Sequence, residues 1–94
     1  MSEIKTYNRK LKKIGEMLKS KRLELGESYK NREEFIDLRK MELFGDQDWM
    51  SPRHLASIEL GNNWISIEKL ILLSSALEQD PVDLFAEIVR IYQE

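Results

Sequence analysis

Residues 51–61 read Ser-Pro-Arg-His-Leu-Ala-Ser-Ile-Glu-Leu-Gly and carry the start and stop signals of one short helix. Ser51 suits the N-cap, where its hydroxyl accepts a bond from an unpaired backbone N–H, and proline suits the first helical position. Gly61 is a natural stop beyond the last turn. The segment therefore predicts a helix from Pro52 to about Leu60. Three residues share one face of that helix: Leu55, Ile58 and Glu59.

A first helix is predicted on the N-terminal side, from about Tyr7 or earlier to Leu25, with Gly26 as its stop. Its apolar positions recur at helical spacing and form one stripe: Ile4, Tyr7, Leu11, Ile14 and Leu18. Lysines off this stripe are most simply a solvated face, with contact to phosphates as the alternative: Lys10, Lys12, Lys13 and Lys19.

A second helix is predicted to begin at the capping residue Asn31 and to end near Met41. Its expected inner face consists of Phe35, Leu38 and Met41 or Glu42, with Ile36 beside them. Residues 43–49 then indicate a loop, because a glycine and two aspartates favour turns. Trp49 and Trp64 are expected to pack around this long turn, with base stacking as the alternative.

Two further helices are predicted to begin at Ser66 and at Asp80-Pro81, which repeat the capping signals of residues 51–52. The fourth helix is expected to bury Ile67, Leu70, Ile71, Leu73 and Leu77, with Ser74 as a further position. The fifth is apolar on more than one side, through Leu84, Phe85, Ile88, Val89, Ile91 and Tyr92. The chain therefore predicts an all-α fold of five helices in a single domain over residues 1–94.

Length and composition exclude several classes of protein. The chain has 94 residues, a length that fits one domain. It has no cysteine, so a disulfide framework is excluded. His54 is the only histidine and cannot build a Cys/His zinc site. It has no evident triad partner, and no phosphate-cradling glycine loop is present, so neither an enzyme activity nor a cofactor is expected. The longest apolar run, residues 70–73, is far short of the about 20 residues that span a bilayer, and we expect a cytoplasmic protein.

The net charge of −2 is divided unevenly along the chain. Residues 1–40 hold 12 Lys and Arg against 7 Asp and Glu, a balance of +5, whereas residues 41–94 hold 3 against 10, a balance of −7. A basic half of a small domain is able to present a basic face to nucleic acid. An uneven split also fits a helix that is merely solvated, so charge alone leaves both interpretations open.

The segment 51–61 resembles the third helix of the lambda-repressor-like (Xre-type) helix-turn-helix family. The chain matches that helix pattern in order at Ser51, Leu55, Ile58, Glu59 and Gly61. Arg22, four residues before Gly26, matches an arginine of the family's first helix, and residues 66–85 match its fourth-helix core and the start of its fifth helix. The resemblance covers a core of about residues 14–85 and implies a compact five-helix domain whose first and last helices are extended.

The resemblance implies a DNA-binding site around the third helix, because a short helix on a compact bundle fits the major groove, about 12 Å wide. The implied reading face is Pro52, Arg53 and Ser57, with His54 beside it. Arg53 is the best candidate for base reading, since its guanidinium matches O6 and N7 of guanine. Helix N-termini, including the Ser51 cap, offer N–H groups to phosphates.

Other residues take supporting roles by the same resemblance. Arg22 and Glu59 are implied as a structural ion pair, with a chance pair of exposed charges as the alternative. Asn31 and Arg32 match the start of the family's second helix, where the Arg32 position contacts the DNA backbone and a base. Contacts to phosphates are implied for Lys30, Asn62 and Asn63.

The segment between the second and third helices is longer than in most of that family. Ser51 lies 15 positions after Ile36, which takes the place of a smaller alanine, where the family has about six. A similar enlarged segment occurs in the DNA-binding domains of Gram-positive peptide-sensing regulators of the Rgg type, in which a large helical-repeat domain follows. Pro52 also departs from the pattern, since its side chain brings no hydrogen-bonding group to the reading face.

The leading hypothesis is a cytoplasmic, nucleoid-associated transcriptional regulator of repressor type that binds double-stranded DNA sequence-specifically, with no membrane association. A homodimer is expected through the terminal helices, whose apolar residues extend beyond the family's usual ends; alternatively they pack on each other. The rival is a protein-interaction module on the same fold, an anti-repressor or adaptor that has lost DNA binding. The acidic half, Pro52 and the long turn motivate this rival. A third possibility is the detached DNA-reading part of a larger regulator.

Overall fold

The computed structural model describes the backbone of residues 2–94 and the side chains of residues 9–94. Five α-helices follow one another: α1 Ser2–Leu23, α2 Arg32–Leu43, α3 Pro52–Glu59, α4 Ile67–Ala76 and α5 Pro81–Gln93. A short 3₁₀ helix, Glu27–Tyr29, lies between α1 and α2, and the described backbone contains no strand. The all-α, five-helix prediction is confirmed. Within the described residues, each helix is too short or too polar to cross a membrane.

The capping residues named from the sequence begin four of the helices. Each accepts a bond at 2.9–3.1 Å from a backbone N–H of the first turn: Asn31, Ser51, Ser66 and Asp80. Pro52 and Pro81 occupy the first helical positions, where no backbone donor is needed. α1 ends at Leu23, two residues before the predicted end, because the N–H of Leu25 turns back to the carbonyl of Arg22. α2 continues to Leu43, past its predicted end.

One apolar core joins all five helices to the segment that precedes α3. The predicted stripe of α1 is buried at Leu11, Ile14 and Leu18, whereas Ile4 and Tyr7 lie outside the residues whose side chains are described. The core cluster consists of Ile14, Leu18, Phe35, Ile36, Trp49, Met50, Leu55, Ile58, Leu70, Leu73, Ala76, Leu77, Leu84 and Ile88.

The inner face of α2 differs from the prediction at three positions. Leu38 and Met41 were expected to face inward but are 37% and 66% exposed, whereas Arg39 is buried. Burial of Arg39 is tolerated because its guanidinium finds partners on every side. Its Nε donates to the carbonyl of Ala76 at 2.9 Å, and its Nη2 lies 2.8 Å from the Glu78 carboxylate. The guanidinium also bonds Glu42 and lies over the ring of Tyr29.

The inner face of α4 also differs from the prediction. Leu70, Leu73, Leu77 and Ser74 are buried as predicted, but Ile67 and Ile71 are 63% and 50% exposed. Ser74 tolerates burial because its hydroxyl donates to the carbonyl of Ile71 at 2.7 Å. α4 carries apolar residues on more sides than its neighbours cover, so part of its apolar surface faces outward.

The two terminal helices pack on each other. Ile88 of α5 is buried and Ile91 packs against the core, while Lys21 of α1 forms an ion pair with Glu87 of α5 at 3.2 Å. The ring of Tyr92 lies under the ammonium of Lys10, with 4.7 Å between the nitrogen and the ring centroid. The ring of Trp64 also lies against Tyr92, with 5.7 Å between centroids and 54° between the ring planes, so this tryptophan contacts α5.

The long turn before α3 is anchored by Trp49. Its indole is buried, donates to the carbonyl of Ile36 at 3.1 Å and packs against the rings of Phe35 and Phe44, which confirms its predicted packing role. The tip of the long turn lies against α2, because Asp48 of the turn forms an ion pair with Lys40 of α2 at 3.1 Å. The hydrogen bond and the charge of Asp48 raise the pKa of Lys40.

Candidate nucleic-acid interface

α3 is held against α1 by two glycine contacts. A Cβ on Gly15 would overlap the backbone carbonyls of Ile58 and Glu59, and one on Gly61 would overlap the backbone of Lys12. Only glycine permits this approach at Gly15, and Gly61 also has a φ of +78°, which favours glycine. The end of α3 is thereby fixed on α1.

A buried ion pair ties α3 to the end of α1. Arg22 and Glu59 are 2% and 3% exposed, and the guanidinium meets the carboxylate twice, through Nε to Oε2 at 2.8 Å and through Nη2 to Oε1 at 2.9 Å. The remaining Nη1 donates to the carbonyls of Tyr29 and Lys30 at 2.9 and 2.6 Å. Arg22 therefore joins three parts of the chain: the end of α1, the segment before α2 and the last turn of α3.

Arg32, at the start of α2, shares the same carboxylate. Its Nε donates to Oε1 of Glu59 at 2.7 Å, and its side chain is partly exposed. Two guanidinium groups thus face one carboxylate, so the cluster of Arg22, Arg32 and Glu59 keeps one positive charge in excess. That excess lies at the surface, on the side of Arg32.

A cleft of about 510 Å³ opens above this cluster, between the start of α2 and the start of α3. Five of its lining residues are cationic and only Glu33 is anionic. The amino end of α2 adds the positive end of its helix dipole at the same place. The full lining is Lys19, Arg22, Lys30, Asn31, Arg32, Glu33, Pro52, Arg53 and Ala56.

A second cleft, of about 280 Å³, follows the outer face of α3. It is lined by Ser51, Arg53, His54, Ser57 and Asn63. Arg53 belongs to both clefts, is exposed, and makes no hydrogen bond or ion pair with any residue whose side chain is described. Its five guanidinium N–H donors are therefore available at the ridge between the clefts.

The segment after α3 is fixed by a Schellman arrangement. The N–H of Gly61 bonds the carbonyl of Ile58 at 3.1 Å, and the N–H of Asn62 bonds the carbonyl of Ser57 at 2.9 Å. The side chains continue this connection, since Nδ2 of Asn63 donates to Oγ of Ser57 at 2.6 Å. Asn62 is thus attached to the helix by its backbone and Asn63 by its side chain.

The structure brings the DNA-contacting residues expected from the resemblance to one surface. Lys30, Asn31, Arg32 and Pro52 line the first cleft, and Ser51, His54, Ser57 and Asn63 the second, with Arg53 between. Asn62 is exposed and follows α3, but lines neither cleft. The carboxamide oxygen of Asn31 is engaged as the helix cap.

Sequence reasoning missed two features of this surface. Lys19 lines the first cleft, whereas the sequence favours a solvated face for it and leaves phosphate contact as the alternative. Its position one turn before Arg22 was a usable signal, because residues three apart lie on one helix face. The link between Asn63 and Ser57 was not expected, since its detection depends on side-chain orientation.

The surface offers hydrogen-bond donors and positive charge. Among the described residues, no cluster of His, Asp and Glu is arranged to hold a metal ion. Lys40, whose pKa is raised by Asp48, lines neither cleft. Comparison of the chain with protein-family models, with curated proteins and with solved structures finds no match.

Proposed function

We propose that this protein binds double-stranded DNA sequence-specifically and acts as a transcriptional regulator of repressor type. In this proposal the fold is of the lambda-repressor-like helix-turn-helix kind, with α2 and α3 as the motif and α3 entering the major groove. The observation that carries the proposal is the position of Arg53. An exposed arginine that pairs with none of residues 9–94 stands at the start of α3, between two clefts lined with donors.

The charge distribution supports contact with phosphates. Five cationic side chains line the first cleft and face three carboxylates, Glu33 in the lining and the ion-paired Glu59 and Glu27, which leaves a balance of +2 although the whole chain carries −2. Phosphate groups are attracted by this local charge, because fields at a surface are dominated by groups within about 10 Å at ordinary salt. Lys19 and Lys30 suit phosphates as compact charges on flexible stems, and Lys30 exchanges its exposed ion pair with Glu27 for the phosphate in this proposal.

The shape of α3 supports base reading. Its inner residues are buried and hold the helix in place, while its first turn presents Pro52 and Arg53 to solvent. A guanidinium fork paired with O6 and N7 of guanine contributes about 1–3 kcal/mol of discrimination between bases. Arg53 therefore specifies sequence in this proposal, while the cationic cleft positions the protein on the backbone.

We further propose a homodimer through the last helix. α1 and α5 cover each other within one chain, but Val82 and Phe85 of α5 are exposed. A two-fold pair of reading helices matches a palindromic site with half-sites about 34 Å apart or a multiple of it. Phe85→Glu is expected to give a monomer in sedimentation experiments and to weaken binding to the palindrome more than to a half-site.

The experiment that tests DNA binding is enrichment of genomic fragments on the purified protein at about 150 mM salt. Wild-type protein is compared with Arg53→Ala and with Arg90→Ala, a matched loss of an exposed arginine on α5. Enrichment of one sequence by wild type and Arg90→Ala, but not by Arg53→Ala, is the expected result. Equal behaviour of all three proteins would overturn the assignment of the reading face.

The second candidate is a protein-interaction module on this fold, favoured by the exposed Ile67 and Ile71 on α4. The two functions separate by salt dependence. Binding through phosphates weakens steeply as salt rises, with a slope that grows with the number of phosphates contacted. Absence of any enriched DNA at low salt, together with a partner protein lost on Ile71→Glu, would favour the second candidate.

A further inference from the structure

Ser57 and Asn63 form a hydrogen-bonded side-chain pair on the outer side of α3. Ser57, on the outer face of α3, accepts a bond from Nδ2 of Asn63 at 2.6 Å, and both residues line the cleft that contains Arg53. The pair lies in the cleft between the reading arginine and the segment after the helix. We propose that Asn63 reads an adenine, and that Ser57 holds it in the reading orientation; this inference rests on the proposed DNA binding.

The chemistry of the carboxamide favours adenine. An asparagine side chain carries two N–H donors and one acceptor oxygen. One N–H of Asn63 is engaged by Ser57, which leaves one N–H and the oxygen. Adenine offers N7 as an acceptor and its N6 amino group as a donor in the major groove, which is the complement of that remaining set.

The backbone fixes where the carboxamide stands. The Schellman bonds of Gly61 and Asn62 attach the segment to the last turn of α3, and Gly61 lies directly on the backbone of α1. Asn63 therefore moves with the reading helix as one unit. Since its orientation is set before binding, little side-chain freedom is lost on contact with the base.

A phosphate role fits Asn63 less well than it fits Asn62. Phosphates accept hydrogen bonds from any donor and make no use of a donor and an acceptor held side by side. Asn62 is exposed and lines neither cleft. It is therefore the control residue for a contact that carries no sequence information.

The test is selection from a randomised duplex library by the full chain, followed by affinity measurement on single-base variants of the selected site. Wild type is expected to select a guanine assigned to Arg53 and, at a separate position, an adenine. Asn63→Ala is expected to lose about ten- to hundredfold discrimination at the adenine position and to keep the guanine. Asn62→Ala is expected to lower the affinity for all sequences by one common factor.

Ser57 is tested as a positioning residue by base preference. Ser57→Ala is expected to reduce the adenine preference partway, and Ser57→Thr, which keeps the hydroxyl, is expected to restore it. An unchanged preference in Ser57→Ala would overturn the positioning role. Thermal unfolding by circular dichroism checks that each variant is folded before its preference is compared.

The outcomes separate this inference from the function on which it rests. If wild type selects no sequence, the proposed function itself is wrong. If a site is selected and Arg53→Ala relaxes it, but Asn63→Ala lowers binding to every sequence equally, Asn63 is a phosphate ligand and only the inference fails. Selection of another base at the Asn63 position also overturns the inference.

Discussion

Gly15 of α1 lies directly against the backbone carbonyl of Glu59, the last residue of α3. The same glutamate is held from its other end, where its carboxylate meets Arg22 of α1. The backbone and the side chain of one residue thus attach α3 to α1. Because Arg53 stands on α3, its orientation depends on this junction.

Gly15→Ala is expected to destabilise the fold by about 1–3 kcal/mol or more, because the new methyl group meets backbone atoms that cannot rotate away. The measurement is the free energy of unfolding in urea. Gly45→Ala is the matched control, since that glycine has open space around it and only its φ of +60° opposes a side chain. A loss no larger at Gly15 than at Gly45 would contradict the close crossing.

Arg22→Met is expected to destabilise the fold by about 3–5 kcal/mol, because it leaves the Glu59 carboxylate buried with one guanidinium fewer. Lys30→Met removes an exposed ion pair with Glu27 and is expected to change the unfolding free energy by about 0–1 kcal/mol. The double variant Arg22→Met with Glu59→Gln is expected to lose less than the sum of its single changes, as coupled residues do. Strict additivity in this cycle would argue against the coupling.

Arg39→Ala is expected to cost about 2–4 kcal/mol of unfolding free energy, since the carbonyl of Ala76 loses a buried partner and Tyr29 loses its stacked guanidinium. Arg53→Ala serves as the comparison, with an expected change within about 0.5 kcal/mol, because its side chain is exposed. Urea unfolding of both variants provides the measurement. Equal stability of the two variants would show that the buried network contributes little.

Trp49→Phe is expected to lose about 1–2 kcal/mol, because the phenyl ring keeps most of the packing but cannot donate to the carbonyl of Ile36. The same variant identifies the fluorescence of the buried indole, since Trp64 is then the only tryptophan. Wild-type emission is expected to shift to longer wavelength on removal of Trp49, which is more buried than Trp64. No shift would mean that the indole of Trp49 is in contact with water.

The starts of the helices were predictable because they depend on local chemistry. Asn31, Ser51, Ser66 and Asp80 each bond a backbone group within three residues, so the signal lies within one turn of sequence. The spacing of apolar residues in α1 was equally informative. Neither signal depends on what the rest of the chain does.

The rotation of α2 and α4 about their axes was not predictable in the same way. Both Leu38 and Arg39 of α2 were available to face inward, and the choice is made by partners on a distant segment, Ala76 and Glu78. α4 carries more apolar residues than one face holds, so periodicity could not separate Leu70 from Ile71. Tertiary contacts decide such cases, because they outweigh the differences in local preference.

The candidate site also has one part that was predictable from the sequence and one part that was not. Its residues were named through a resemblance, and their positions around Arg53 follow from the order of the helices. The sharing of Glu59 between two arginines and the bond from Asn63 to Ser57 depend on rotamers, on which spacing along the chain carries no information.

The anchoring of the long turn by Trp49 also bears on how this protein tolerates added chain. Everything between Gly45 and Asp48 is exposed, while Trp49 returns the backbone to a fixed point on α2 before α3 begins. Doubling the length of a flexible loop costs only about 0.6 kcal/mol in closure entropy. Extra residues inserted at the tip, such as a peptide tag, therefore lengthen the turn without rotating α3.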